Sequence, residues 1–311
     1  MNKKLIALFM IALLVVGAFA GCGEKEKGAD EMTIGVAHKN SSSPFWVSFE
    51  DGAKAAAEEL GVKIDMQGPA IENDPAGQLA IVENFITQEY DGIVVAPCDD
   101  VGIAPAVQTA LDSGIPVVAA DNGVTGAEVS LVATDNAAAA ALAAKYIGEA
   151  LGGEGNVLMV NGTISQGSGK GRYEGFKGYL EENYPNITIL TPIDAQWDDQ
   201  KALAGIEDAV NSGQEIDAVF SAWDGGALQA HSVFKAQGML DDVIIAGFDL
   251  YDETKALISA GEFEADVVQD PYNMGYLAVM TVYEQINGQT HDSFIDTGAT
   301  LATIDNIADF N

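Results

Sequence analysis

Ten residues spread along the chain have side chains suited to gripping a small polyhydroxyl molecule. Phe45, Trp46, Trp197 and Trp223 offer flat aromatic faces that can cover apolar C–H surface. Asp121 and Asp249 are acceptors with several lone-pair positions and no donor, whereas Arg172 is a fixed fork of donors. Ser43, Asn122 and Gln269 can donate and accept. Together they read as a binding site rather than a reaction centre.

Enzyme signatures are missing where they would be needed. No Gly-x-Gly-x-x-Gly follows the first strand, and the glycine-rich run from Gly167 ends in Arg172 instead of a glycine. Gly162 and Gly167 have the spacing of a phosphate-binding loop, but Ser168 stands in place of its lysine. There is no Gly-x-Ser-x-Gly elbow. His38, His231 and His291 are scattered, as ordinary surface or loop histidines are, and lack the spacing of a metal site. No cofactor is called for. The paired carboxylates could serve a glycosidase, so an exported carbohydrate-active enzyme stays open as a competing class.

Each candidate also has a plainer reading. Phe45 and Trp46 stand where a helix begins and could be core packing. Asp121 and Asp249 could cap the helices that follow them. Arg172 could balance neighbouring carboxylates, and Trp223 could pack beneath a cleft.

The elements that must position these residues alternate strand and helix. Thr33–Ala37 is an apolar strand, and the helix after it puts Phe45, Phe49, Ala53, Ala56 and Leu60 on one face. A strand over Val62–Met66 precedes a helix opened by Pro75, where a missing amide hydrogen costs nothing. Strands over Gly92–Ala96 and Pro116–Ala120 flank a helix from Ala104 to Leu111. The pattern restarts with an alanine-rich helix from Ala137 to Leu151. Strands then follow over Asn156–Val160, Ile187–Leu190, Ala218–Ser221, Val243–Ala246 and Glu264–Val268, with helices over Gly171–Tyr184, Gln200–Asn211 and Ala227–Gln237. Repeated strand–helix units predict parallel sheets with right-handed crossovers. The fold class is α/β, with two doubly wound lobes joined by short ordered strands. In such sheets ligands bind at the carboxyl ends of the strands, which is where Asp121-Asn122, Trp223-Asp224, Asp249 and Gln269 fall.

The amino terminus indicates export. Lys3 and Lys4 precede an apolar run through Phe19, too short for a bilayer span and ending in Ala20-Gly21-Cys22. Residues 1–21 are expected to be a signal peptide, and Phe19 to Cys22 resembles a bacterial lipoprotein cleavage box that makes Cys22 the lipidation site. Residues 22–32 read as a solvated tether. With Cys22 lipidated only Cys98 remains, so no internal disulfide forms; Cys98 reads as a half-buried small hydrophobe.

The net charge is −33, from 47 acidic and 14 basic residues. So acidic a surface excludes nucleic acid as a partner.

From Thr33 onward the chain resembles the periplasmic ribose- and galactose-type sugar-binding proteins, the receptors of ATP-driven sugar importers. The resemblance rests on segments Ser42–Trp46, Val118–Asn122, Arg172–Phe176, Ala195–Asp198, Phe220–Asp224, Ala246–Asp249 and Val267–Pro271, in that order. It implies one lobe over residues 33–135 and 270–298 and another over 136–269 and 299–311, with three crossings between them. It also implies a monomer on the extracytoplasmic face of the membrane, lipid-anchored or periplasmic, that binds a sugar or polyol and docks to a permease. A role in chemotaxis or signalling is the alternative. The resemblance makes Ser43, Phe45, Trp46, Asp121, Asn122, Arg172, Trp197, Trp223, Asp249 and Gln269 the ligand contacts. Asn122 stands where ribose binders have arginine and Trp223 where they have asparagine, so ribose is not the expected ligand. A sugar-responsive regulator of this architecture would need a DNA-binding headpiece, and here an export signal occupies that place.

Overall fold

The computed structural model describes residues 28, 31–39, 43–69 and 74–310; the expected signal peptide, Cys22 and most of the tether lie outside the described residues. Met32, at the expected end of the tether, is buried, and its carbonyl accepts from the Lys63 amide. Packing therefore starts one residue ahead of the first strand.

The first half of the chain runs β1 (Thr33–Ala37), α1 (Pro44–Leu60), β2 (Lys63–Gln67), α2 (Pro75–Thr87), β3 (Gly92–Val95), α3 (Ala104–Asp112), β4 (Val117–Ala120) and β5 (Ser130–Ala133). It continues with α4 (Asn136–Ala150), β6 (Glu154–Asn161), α5 (Gly167–Asn183), β7 (Asn186–Ile189), β8 (Ile193–Asp194), α6 (Asp199–Asn211), β9 (Ala218–Ser221) and α7 (Asp224–Ala236). The remainder is β10 (Ile244–Phe248), α8 (Asp252–Ala260), β11 (Ala265–Gln269), α9 (Pro271–Ile286), β12 (Phe294–Asp296) and β13 (Ala299–Thr303).

These strands make two sheets. The first has the order β12-β5-β4-β3-β1-β2; the second is β13-β11-β10-β9-β6-β7, with β8 pairing the end of β6. All pairings are parallel except β11 with β13, whose register sets Gln269 opposite Ala299. The chain leaves the first sheet after β5, returns after β11 and crosses again between β12 and β13. Three short connections therefore join the two lobes.

Helix starts are written locally. Ser43, Asp74, Asp135, Asp198 and Asp270 accept from amides in the first turns of α1, α2, α4, α6 and α9, and proline opens α1, α2 and α9. Asp135 and Asp270 thus cap the helices entered straight after two of the crossings. Both faces of each sheet are covered, as a parallel sheet requires. In the first lobe α1 and α9 cover one face around Phe49, Met274 and Val282, while α2 and α3 cover the other around Phe85 and Val107. In the second lobe Phe176 of α5 stacks on Phe220 at 4.1 Å, and α6 to α8 fill the opposite face around Phe234 and Phe263. The α1–α9 crossing depends on glycine: a Cβ at Gly52 would come within 1.9 Å of the Tyr272 carbonyl oxygen.

Several boundaries differ from the sequence reading. Helix α5 begins at Gly167 rather than Gly171, and α7 at Asp224 rather than Ala227. Glycine is a poor helix interior residue, yet in the first turn of α5 the Gly167 amide bonds Asp100, and in that of α7 a Cβ at Gly225 would stand 2.1 Å from Asp199. Strand β10 extends through Gly247 to Phe248. Strands β5, β12 and β13 are too short, or too mixed in character, to stand out by pattern; their pairing defines them.

The histidines are not free surface residues. His38 is buried with its ring 3.3 Å from Glu50, and His231 and His291 each lie 3.1 Å from a glutamate, Glu262 and Glu284 respectively. Cys98 is fully rather than half buried.

Candidate functional site

The carboxyl edges of the two sheets face each other across a cavity of about 950 Å³. From the first lobe it is lined by Lys39 after β1, Ser43, Phe45 and Trp46 at the start of α1, and Asp121 after β4. From the second come Arg172 of α5, Trp197 after β8, Trp223 after β9, Asp249 after β10 and Gln269 at the end of β11. Nine of the ten residues singled out from the sequence therefore converge on one space. The tenth, Asn122, is buried and outside the lining: its Nδ2 donates to Asp121 (3.1 Å) and its Oδ1 accepts from the Ser168 amide of the other lobe (2.6 Å). Asp224, next to Trp223, is also turned away and lies beneath the site, fully buried.

On the first-lobe wall Phe45 and Trp46 meet edge to face at 4.8 Å, and Trp46 meets Phe49 of the core at 5.4 Å. They are core residues and cavity wall at once, so the two readings of them coincide. Lys39, which the sequence reading passed over, puts its Nζ 2.6 Å from Asp121 Oδ2 with both side chains buried, and 5.7 Å from the Trp46 ring centre. It lies two residues past the end of β1, so the sheet-edge rule that picked out Asp121 would have found it.

On the second-lobe wall Trp197 and Trp223 meet edge to face at 5.7 Å. Both indole N–H groups are engaged, Trp197 to Gln166 (2.7 Å) and Trp223 to Asp199 (3.0 Å). Gln196 and Trp197 have left-handed backbones (φ 57° and 64°), and Gly162 leaves the room the indole needs, since a Cβ there would stand 2.3 Å from the ring. Arg172 is sandwiched, its guanidinium 3.7 Å from the Phe248 ring centre and 5.5 Å from that of Trp197. Its Nη1 donates to the Ala222 carbonyl (2.6 Å) and its Nε to Asn136 (2.8 Å). Asp249 lies 4.0 Å from Arg172 and accepts from Gln269 (2.5 Å). Burial pushes the Asp249 carboxyl up to about 7 despite the nearby arginine, and burial lowers the Arg172 guanidinium in turn.

Gln269 also belongs to the crossings. Its Oε1 accepts from Thr134 Oγ1 (3.1 Å), which is 3.2 Å from Thr297 Oγ1. One residue from each of the three connections joins that short chain of polar contacts.

Across the mouth the lobes are tied at the first turn of α5. Gln166 Nε2 donates to the Cys98 carbonyl (2.8 Å), the Gly167 amide to Asp100 Oδ2 (2.8 Å) and the Ser168 amide to Asn122. Burial raises Asp100 to about 6, with the Gly167 amide pulling the other way. The lobes are thus bridged over an aromatic-walled space in which Lys39 and Arg172 each face a carboxylate. Among the described residues no group of three or more His, Cys, Asp or Glu could hold a metal ion.

Two doubly wound lobes, three crossings and a ligand-sized cavity between facing strand ends define a receptor that closes around what it binds. The chain belongs to the periplasmic binding protein domain family, which it matches over residues 34–290. It is 30% identical over 288 residues to the ribose import binding protein of Haemophilus influenzae, covering 92% of this chain and 94% of that one. An ABC transporter solute-binding protein from Agrobacterium vitis solved with D-fucose is 32% identical, with a TM-score of 0.84 over 88% of this chain and 96% of that one. Another from Bacillus halodurans solved with myo-inositol is 27% identical, with a TM-score of 0.86 over 92% and 99%.

Proposed function

We propose that this protein is an extracytoplasmic receptor that closes on a neutral sugar or polyol and delivers it to the permease of an ATP-driven importer. The observation that carries this reading is the pairing inside the cavity of Lys39 with Asp121 and of Arg172 with Asp249, between the faces of Trp46, Trp197 and Trp223. Lys39 and Arg172, already matched by carboxylates, leave no surplus positive charge for an anionic ligand. They do offer charge-assisted donors and acceptors to hydroxyl groups. The relatives bind chemically varied polyols, ribose, D-fucose and myo-inositol by name, which supports the class without fixing the member.

Closure supplies the signal. A ligand touching both lobes stabilises the closed state, with its bonds between α5 and the first lobe, and the permease responds to that population. Cys22 carries the lipid that keeps the receptor at the membrane, where it acts as a monomer and without catalysis. Ribose is not the preferred ligand: Asn122 is spent on closure, leaving no charged donor there, and Trp223 adds apolar surface.

Calorimetric titration of the mature protein with pentoses, hexoses, deoxysugars and polyols tests this. A polyol other than ribose should bind most tightly. Ribose outcompeting every other sugar would overturn the reading of positions 122 and 223, and failure of every neutral polyol to bind would overturn the receptor reading itself.

A further inference from the structure

Beneath Asp249 lie two carboxyl groups outside the cavity lining. Asp224 at the start of α7 and Asp266 in β11 are both fully buried. Asp224 Oδ2 accepts from the Tyr251 amide (2.5 Å) and from Thr254 Oγ1 (2.6 Å), and Asp266 Oδ1 accepts from the Leu250 amide (3.2 Å). The remaining oxygens, Asp224 Oδ1 and Asp266 Oδ2, converge over Gly247 and have no donor in hydrogen-bond geometry. A Cβ on that glycine would stand 2.7 Å from one and 2.9 Å from the other. Glycine in the middle of β10 is what lets them meet there.

Two ionised carboxylates cannot occupy such a place without water. Burial raises both groups, Asp266 well above the ordinary carboxylate range, with the neighbouring Asp224 charge adding to it. The charged group that faces the pair is Asp249 from the corner after β10, which itself faces Arg172 of α5 and, across the cavity, Asp121. Thr254 of α8 adds a hydroxyl donor to Asp224, and the Phe263 ring borders the same Gly247. Arg172 is the one cation among them, too little to balance three ionised aspartates.

What the pair holds is a strained corner. Asp249 has φ 122° and Leu250 φ 59°, left-handed conformations unfavourable for residues with side chains, and it is this turn that carries the Asp249 carboxylate to Gln269 and Arg172. The amides just past the turn, of Leu250 and Tyr251, are the ones the two carboxyl groups grip.

We propose that Asp224 and Asp266 share one proton and act as positioning residues, clamping the 249–250 corner so that Asp249 faces the ligand. In the clamp Asp266 donates to Asp224, and each carboxyl keeps its second oxygen for a backbone amide. The affinity readout rests on the receptor reading above; the proton readout does not.

Infrared spectra and calorimetry test this together. At a pH well above 7, where Asp249 is ionised, the unmodified protein should keep a protonated-carboxyl C=O band that Asp266→Asn lacks. Absence of that band in the unmodified protein overturns the shared proton. Against the panel sugar that the unmodified protein binds most tightly, Asp266→Ala should weaken binding roughly tenfold. Asp266→Asn, whose amide can still donate to Asp224 while its oxygen accepts from Leu250, should recover most of the loss. Native affinity in Asp266→Ala, or equal loss in both variants, overturns the positioning role. Should Asp266→Ala not fold, Asp266→Asn carries the decision: affinity within about threefold of native supports the clamp and a tenfold loss overturns it. If no panel sugar binds the unmodified protein, the receptor reading fails while the infrared arm still decides the proton.

Discussion

Asp121 and Asp249 were paired in the sequence as equivalent acceptors, but their surroundings make them different. Asp121 is the counter-ion of a buried ammonium, so Asp121→Ala removes the proposed ligand acceptor and also strands Lys39. Asp249→Ala leaves Arg172 with the Ala222 carbonyl and Asn136 still bonded. Both substitutions should weaken sugar binding on the order of 10²-fold, through lost charge-assisted bonds and unpaired ligand hydroxyls. Only Asp121→Ala should lower the melting temperature strongly. Calorimetry and thermal melts on the two proteins separate these effects, and near-native affinity in Asp249→Ala would remove that residue from the site.

At the scale of elements, the first turn of α5 links the ligand wall to the closing motion. Gln166 accepts from the Trp197 indole with one end of its amide and donates to the Cys98 carbonyl of the opposite lobe with the other. A ligand that settles Trp197 thereby also settles Gln166 for closure. Gln166→Ala should cost roughly tenfold in affinity, the scale of losing a buried hydrogen bond at each end. It should also change the Trp197 contribution to fluorescence in the free protein, which a defect confined to the lobe interface would leave alone. Scattering from the saturated variant should match the native closed form, because the bonds of Gly167 and Ser168 remain. An unchanged affinity would show that this bridge does no coupling.

For the whole molecule, two buried carboxyls tie stability to pH. Asp100 at about 6 and Asp249 at about 7 both bind protons more tightly in the folded protein than at their ordinary value of 3.8. Unfolding between those values releases protons. Their contribution to stability is complete below pH 3.8 and is lost as the pH rises through 6 and then 7. Relative to the unmodified protein, Asp100→Asn and Asp249→Asn should therefore gain in melting temperature as the pH is raised from 5 to 8. A difference that stays flat over this range would contradict the raised values.

The sequence by itself determined the two α/β lobes and the order of most elements, and nine of the ten residues it singled out line the cavity. These follow from local causes: apolar strand runs, helix caps such as Asp135 and Asp270, and the rule that strand carboxyl ends face the ligand. Only the tertiary structure decided which polar partner each of these residues has. Asn122 follows Asp121 in sequence, yet its carbonyl oxygen is taken by the Ser168 amide from the other lobe. Lys39 gains its meaning from Asp121, and Asp224 from Asp266, partners far apart along the chain. Strands β5, β12 and β13 likewise exist through their neighbours. Periodicity records which side of an element is buried, whereas a hydrogen bond between distant residues is fixed only once both elements are packed, and no spacing in one segment encodes the other's position.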